Sequence, residues 1–216
     1  MLELLQRAAP FLLQALWMTV WLGLVSFILS LMVGFVVAVA RMYGPWPLRF
    51  PAIAFVSLIR GTPLLTQILL VYYGLPQLGF TIEAIPAVIL TLALHAGAYT
   101  SEDIRGGIQS VDKGQWEAGY SSGMTFAQVL RRIVAPQAVR VITPSLGNRF
   151  ITMMKDTSLA SVVTVVELTR VAEQIGSASF RYMQMFVIVA VIYWVINSLL
   201  SLGQAKLEER MRRAYR

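Results

Sequence analysis

The sequence predicts an all-α membrane protein of five transmembrane helices, with one polar helical hairpin inserted between the third and fourth. Three observations carry this reading: the composition, the spacing of charges, and two sets of helix-capping residues placed close together. The chain is 57% hydrophobic and 13% charged, against about 25% charged residues in an ordinary soluble domain. Residues 8–40, 61–82, 84–101 and 182–205 contain no Asp, Glu, Lys or Arg. A bilayer core takes roughly 20 apolar residues per helix, so each of these stretches can hold a span.

In chain order the spans are expected at roughly 12–40, 52–74, 84–101, 137–154 and 183–204, in a single domain of residues 1–216. The first apolar run is longer than the 7–15 residues of a signal-peptide core, so it reads as a span and not as a cleavable leader. The fourth span contains Arg140, Arg149, Pro144 and Gly147 and therefore has to sit inside a bundle, away from lipid. Orientation follows from the Lys and Arg residues of the short loops. With the N-terminus outside, the inner side receives Arg41, Arg49, Lys113, Arg131, Arg132, Arg140 and the run from Lys206 to Arg216. The outer loop Gly74–Ile82 has none, while the last outer segment keeps Lys155, Arg170 and Arg181. The predicted topology is N-out, C-in. The net charge of +7 then belongs to membrane orientation and anionic lipid, which leaves no case for nucleic acid as a partner.

The polar segment 112–136 is predicted to fold as two short helices facing the cytoplasm. Asp112 with Gln115 fits a capping box, Gly123 is placed to end the first helix in a left-handed turn, and Thr125 with Gln128 fits a second box. Pro136 is expected to stop or kink the second helix. Farther on, Thr164 with Glu167 fits another box, opening a short amphipathic helix that ends near Gly176 on the outer side. It suits a gate, a contact for a soluble partner, or a plain interfacial helix.

The hairpin is similar to a known pattern. Glu117-Ala118-Gly119, then Gly123, Ile133 and Pro136, resemble at every spacing the EAA loop of the membrane subunits of ABC importers. Gly119 stands where a third alanine is usual, and Ala135 where a leucine precedes the proline. Gly119 is expected to loosen the first helix by about 1 kcal/mol relative to alanine. Other segments narrow the resemblance to permeases for polar amino acids, the histidine, glutamine, arginine and glutamate group. They are Ile59-Arg-Gly-Thr-Pro-Leu-Leu-Thr-Gln-Ile68, Gly97 to Ile108, Lys113 to Ala118, Ala135-Pro-Gln-Ala-Val-Arg140, Pro144 to Asn148 and Lys155-Asp-Thr-Ser-Leu159. Asp103 departs from the apolar residue expected after Glu102 and points to a local ion pair.

The resemblance implies a type I ABC importer transmembrane domain in a bacterial inner membrane. It implies pairing with a second permease subunit, the same chain or a close relative, above a dimer of ATP-binding cassette ATPases, with a soluble amino-acid-binding protein outside. ATP and magnesium belong to the ATPases. This chain has no Gly-x-x-x-x-Gly-Lys-Ser/Thr loop with which to cradle phosphate, and it is expected to carry no cofactor and to be no enzyme itself. Trp116, Glu117, Ala118, Gly119, Gly123 and Pro136 are the implied coupling residues, moving as a rigid body with the ATPase. With no cysteine and a single histidine, thiolate and polyhistidine metal sites are excluded, and no nucleophile–base set emerges.

Polar groups at membrane depth are costly unless paired or functional. Asp156, Thr157 and Ser158 suit the ammonium and carboxylate of an amino acid, with Arg60, Thr66 and Tyr73 as further candidates to line a cavity. Structural alternatives stand beside them. Asp156 can pair with Lys155, Arg149 or Arg60, and Thr157 or Ser158 can cap the next helix. Arg60 can snorkel or brace Glu102 or Asp103, and Tyr73 can sit at the interface. Glu102 and Arg105 are spaced for a structural ion pair, and His95 for a hydrogen bond between helices. A secondary transporter or channel is the rival class, but it has no use for a polar hairpin of this form.

Overall fold

A computed structural model describes residues 2–213, with the side chains of residues 2, 3 and 212 excepted, and all regular structure in it is helical. The helices are α1 (Leu2–Tyr43), α2 (Trp46–Arg60), α3 (Leu64–Leu69), α4 (Ala84–Gln109), α5 (Lys113–Ser121), α6 (Phe126–Val129), α7 (Ala135–Asp156), α8 (Leu168–Ser179) and α9 (Tyr182–Arg213). The end of the basic tail, 214–216, lies outside the described residues.

Helices α1, α4 and α9 are long and apolar enough to cross a membrane, and a fourth candidate is the α2–α3 pair with its π-helical and 3₁₀ extension to Leu78, bent by 110°. At 1.5 Å per residue α1 is about 63 Å long, twice the bilayer core, so it projects beyond it. The corner in the second candidate falls at Gly61-Thr62-Pro63, inside the segment expected as one span at roughly 52–74. Pro63 takes the N-cap position of α3 with extended backbone angles and has no N–H to continue α2. The fourth expected span is a continuous helix, α7, but with Arg140, Arg149, Lys155 and Asp156 along it it is not apolar enough to count as a span on composition.

The core is the seam between α1 and α4, which carries small and hydroxyl residues. A Cβ at Gly97 would come 2.6 Å from Val33 Cγ1, and one at Gly34 would come 2.5 Å from Thr100 Cγ2. The missing side chains let the backbones approach. Leu22, Ile68, Val88, Leu92 and Met153 close the centre from α1, α3, α4 and α7, and a second cluster joins α1 to the α8–α9 hairpin through Leu12, Leu168, Val171 and Met185.

Two predicted caps differ in the structure. Asp112 accepts from Gly114 N at 2.7 Å, while the Gln115 side chain turns away and accepts from Gln137 Nε2 instead. The box read at Thr164 and Glu167 is absent. Glu167 is itself the N-cap of α8, accepting from the N–H groups of Thr169 and Arg170 at 2.8 Å, and Thr164 sits in a left-handed turn at φ 67°. Helix α8 continues past Gly176 to Ser179. Its start is deep in the bundle: fully buried Glu167 also accepts from Tyr193 Oη at 2.9 Å, eleven residues into α9.

Gly97→Ala should destabilise the protein by roughly 1–3 kcal/mol through overpacking of the α1–α4 seam. Gly106→Ala, with nothing within 4 Å of its added Cβ, should be neutral or stabilising. Thermal unfolding of the two variants in detergent checks the contrast.

Candidate functional site

Two features stand out. One is the hairpin α5–α6, and the other is a polar cavity walled by α4 and α7.

In the hairpin, Thr125 and Gln128 form the complete reciprocal capping box, and Gly123 takes the left-handed turn at φ 76°. Gly119 is the buried residue of α5. A Cβ there would lie 2.8 Å from Val129 Cγ2 and 3.0 Å from Ile133 Cδ1. Gly119 is thus a close-approach residue between the two arms, and the loss of helix propensity expected for it is offset by tighter packing. Pro136 does not end the second arm. The chain passes from α6 through a π-helical turn, Leu130–Val134, into α7, with Pro136 in the first turn of α7, where its missing N–H is tolerated. Trp116 stacks on Phe126 at 6.0 Å, and Phe126 meets Tyr43 edge-on at 5.2 Å, which fastens the hairpin to the end of α1. Glu117 and Ala118 are exposed on the outer face of α5.

The cavity, about 410 Å³, is walled by Thr62, Pro63 and Leu64 at the α2–α3 corner, by Leu92, His95, Ala96 and Tyr99 of α4, by Arg149, Thr152, Met153 and Asp156 of α7, and by Leu159. A groove of about 700 Å³ between α1 and α8 has Arg7 as its one charged lining residue among the described residues, which suits apolar contact better than polar recognition.

Arg149 donates through Nε at 2.9 Å and Nη2 at 2.6 Å to Asp103 Oδ2, the local ion pair that Asp103 suggested. Next to it, Glu102 accepts from Arg41, from Arg105 Nη2 at 2.6 Å, and lies 4.0 Å from Arg60 Nη1. The guanidiniums of Arg60 and Arg149 lie 5.2 and 5.0 Å from the centre of the Tyr99 ring, within cation–π range. His95 Nδ1 is 3.0 Å from Gln67 Oε1, the expected bond between helices.

Of the six residues singled out as ligand candidates, Asp156 alone lines the cavity. Asp156 makes no ion pair with Lys155, Arg149 or Arg60 among the described residues. Arg60 reaches the site only through Tyr99. Thr157 is fully buried and donates to Met154 O at 2.8 Å; it and Ser158 belong to a 3₁₀ segment, Thr157–Val163, and neither caps the next α-helix, α8, whose N-cap is Glu167. Thr66 is exposed and Tyr73 is 53% exposed, both outside the cavity. Tyr99 and Thr152 were missed. Tyr99 lies four residues after His95, one turn along the same helix face, a spacing that can be read from the sequence.

Comparison with known proteins bears on this geometry. The family described as "Binding-protein-dependent transport system inner membrane component" matches residues 30–213. The chain is 43% identical over 205 residues to the L-cystine transport system permease protein TcyB of Bacillus subtilis (strain 168), covering 94% of this chain and 88% of the relative. It is 35% identical over 207 residues to the glutamine transport system permease protein GlnP of Escherichia coli (strain K12), covering 95% and 94%. A solved structure described as an amino acid ABC transporter with histidines superposes with a TM-score of 0.91 at 39% identity, over 95% of this chain and 96% of that one.

A double-mutant cycle with Asp103→Asn and Arg149→Gln should give a coupling energy of about 1–3 kcal/mol, the range for charge-assisted bonds between partly buried groups. Unfolding of the single and double variants measures it.

Proposed function

The chain belongs to the family of binding-protein-dependent transport system inner membrane components, and we propose that it is the permease subunit of an ATP-driven importer for a polar amino acid. The names of its relatives support the substrate class: cystine and glutamine permeases at 43% and 35% identity, and an amino acid transporter of the same fold. The observation that carries the coupling is the hairpin. It is internally capped, stapled to α1 by aromatic contacts, and presents Glu117 outward. A rigid projection of this kind transmits displacement without absorbing it.

In this reading the chain crosses a bacterial inner membrane five times, N-out and C-in, with α7 as an internal fourth crossing and the segment 112–136 in the cytoplasm. Trp116, Glu117, Ala118, Gly119, Gly123 and Pro136 form the docking unit for an ATPase dimer. That dimer holds ATP and magnesium. A second permease chain completes the membrane domain, and a soluble binding protein delivers substrate from outside. Closure of the ATPases on ATP shifts the pair between outward- and inward-open states, to the extent that ATP binds the closed form better.

Asp156 is the direct ligand contact we assign in the cavity, accepting the substrate ammonium. Arg60 shapes the site through Tyr99. Thr157 and Ser158 hold the 3₁₀ segment that follows Asp156, and Thr66 and Tyr73 sit on the outer faces of α3 and of the turn beyond it, where they can meet a second chain.

Glu117→Lys should uncouple transport. In the assembled transporter, ATP hydrolysis should lose its stimulation by substrate and uptake should fall to background, while the variant chain remains folded by its thermal transition. Uptake at the normal ratio to ATP hydrolysed would remove the hairpin from the coupling path.

A further inference from the structure

A directed chain of hydrogen bonds runs into the cavity from the end of α2. Thr62 Oγ1 donates to Leu58 O at 2.9 Å, so its oxygen is free to accept. Gln67 Nε2 donates to that oxygen at 2.8 Å, and also lies 2.8 Å from Ile59 O and 3.2 Å from Thr62 O. A Gln67 amide turned the other way would set its oxygen against two backbone carbonyls, so the network fixes its orientation. Gln67 Oε1 is therefore the acceptor facing His95 Nδ1 at 3.0 Å, and His95 carries its proton on Nδ1. In the neutral ring Nε2 is left with a lone pair. His95 lines the cavity, and among the described residues Nε2 has no hydrogen-bond partner.

The ionic groups of the same cavity are in unequal states. Arg149 is committed to Asp103 through two of its nitrogens. Asp156 lines the cavity with no hydrogen-bond or ion-pair partner among the described residues. The site therefore offers one carboxylate with no hydrogen bond of its own and one unpaired neutral acceptor.

We propose that this cavity selects amino acids whose side chain is uncharged and carries a hydrogen-bond donor, an amide or a hydroxyl, with His95 Nε2 accepting that donor. The inference rests on the reading of the cavity as the substrate's path. The substrate ammonium occupies Asp156, so a cationic side chain finds Arg149 nearby and no second free acid. An anionic side chain presents acceptors to an acceptor. An apolar one leaves Nε2 without a partner, which a site built for hydrogen bonding rejects strongly. Gln67, 7% exposed, acts as a positioning residue, holding the tautomer that makes His95 an acceptor.

The test is direct binding of labelled glutamine, methionine, arginine and glutamate to the purified membrane complex in nanodiscs, without the soluble binding protein. Glutamine and methionine are close in size and differ in the donor. Glutamine should bind better than methionine by roughly tenfold or more. His95→Phe should bring that ratio close to one, and His95→Gln, which restores an acceptor, should recover most of it. A ratio unchanged in His95→Phe overturns the role of His95. Preferred binding of arginine or glutamate that is lost in Asp156→Asn overturns the substrate class while the cavity stands. Binding indifferent to Asp156→Asn, or no binding of any of the four, overturns the cavity reading and this proposal with it.

Discussion

Two neighbouring carboxylates near the end of α4, Glu102 and Asp103, dictate much of the arrangement around them. Consecutive residues on a helix point about 100° apart, so the pair faces two different neighbours. Glu102 draws in Arg41 of α1, Arg105 of its own helix and the edge of Arg60 of α2. Asp103 draws in Arg149 of α7. Charges this poorly hydrated have to be neutralised by partners, and the partners lie on helices that are remote in sequence. Tyr99, one turn earlier, takes two of the same guanidiniums against its ring. Helices α1, α2, α4 and α7 are thus tied at one level.

That level lies between the two candidate functional features. Towards the start of α4, Tyr99 and His95 face the cavity. Towards its end, only Ser110, Val111 and Asp112 separate α4 from the hairpin helix α5. On the other side, α6 runs through the π-helical turn directly into α7, which carries Arg149 and Asp156 to the same cavity. Both arms of the hairpin are therefore continued by helices that wall the cavity. A displacement of the hairpin has a short and largely helical route to the polar groups, which is the geometry that coupling to an external motor requires.

The parts of this arrangement that were legible in the sequence are local. Charge-free runs marked α1, α4 and α9, the spacing of Thr125 and Gln128 marked the start of α6, Gly123 marked its turn, and Glu102 with Arg105 marked an i, i+3 pair. The parts that were not legible depend on residues far apart in the chain. Pro63 has no N–H with which to continue α2, but the 110° turn there depends on how α2 and α3 pack on α4. Thr164 and Glu167 read as a box because their spacing allows one; Tyr193 of α9, donating to Glu167, and Thr19 of α1, accepting from the Leu168 N–H, hold that region with Glu167 as the cap. Gly119 looked like a weak point and proved to be a contact with Val129. Thr157, Thr66 and Tyr73 have the chemistry to meet a ligand, but burial or exposure keeps them from the cavity.

Coupling in this chain rests on the hairpin being a seat for a separate ATPase. The direct measurement is to purify the tagged chain in mild detergent from its native membrane and to identify, with stoichiometry, what accompanies it. Co-purification of a Walker-motif ATPase at one copy per permease chain is the result predicted. A chain that purifies without an ATPase, yet carries amino acids when reconstituted alone, would contradict it and make the hairpin an ordinary loop.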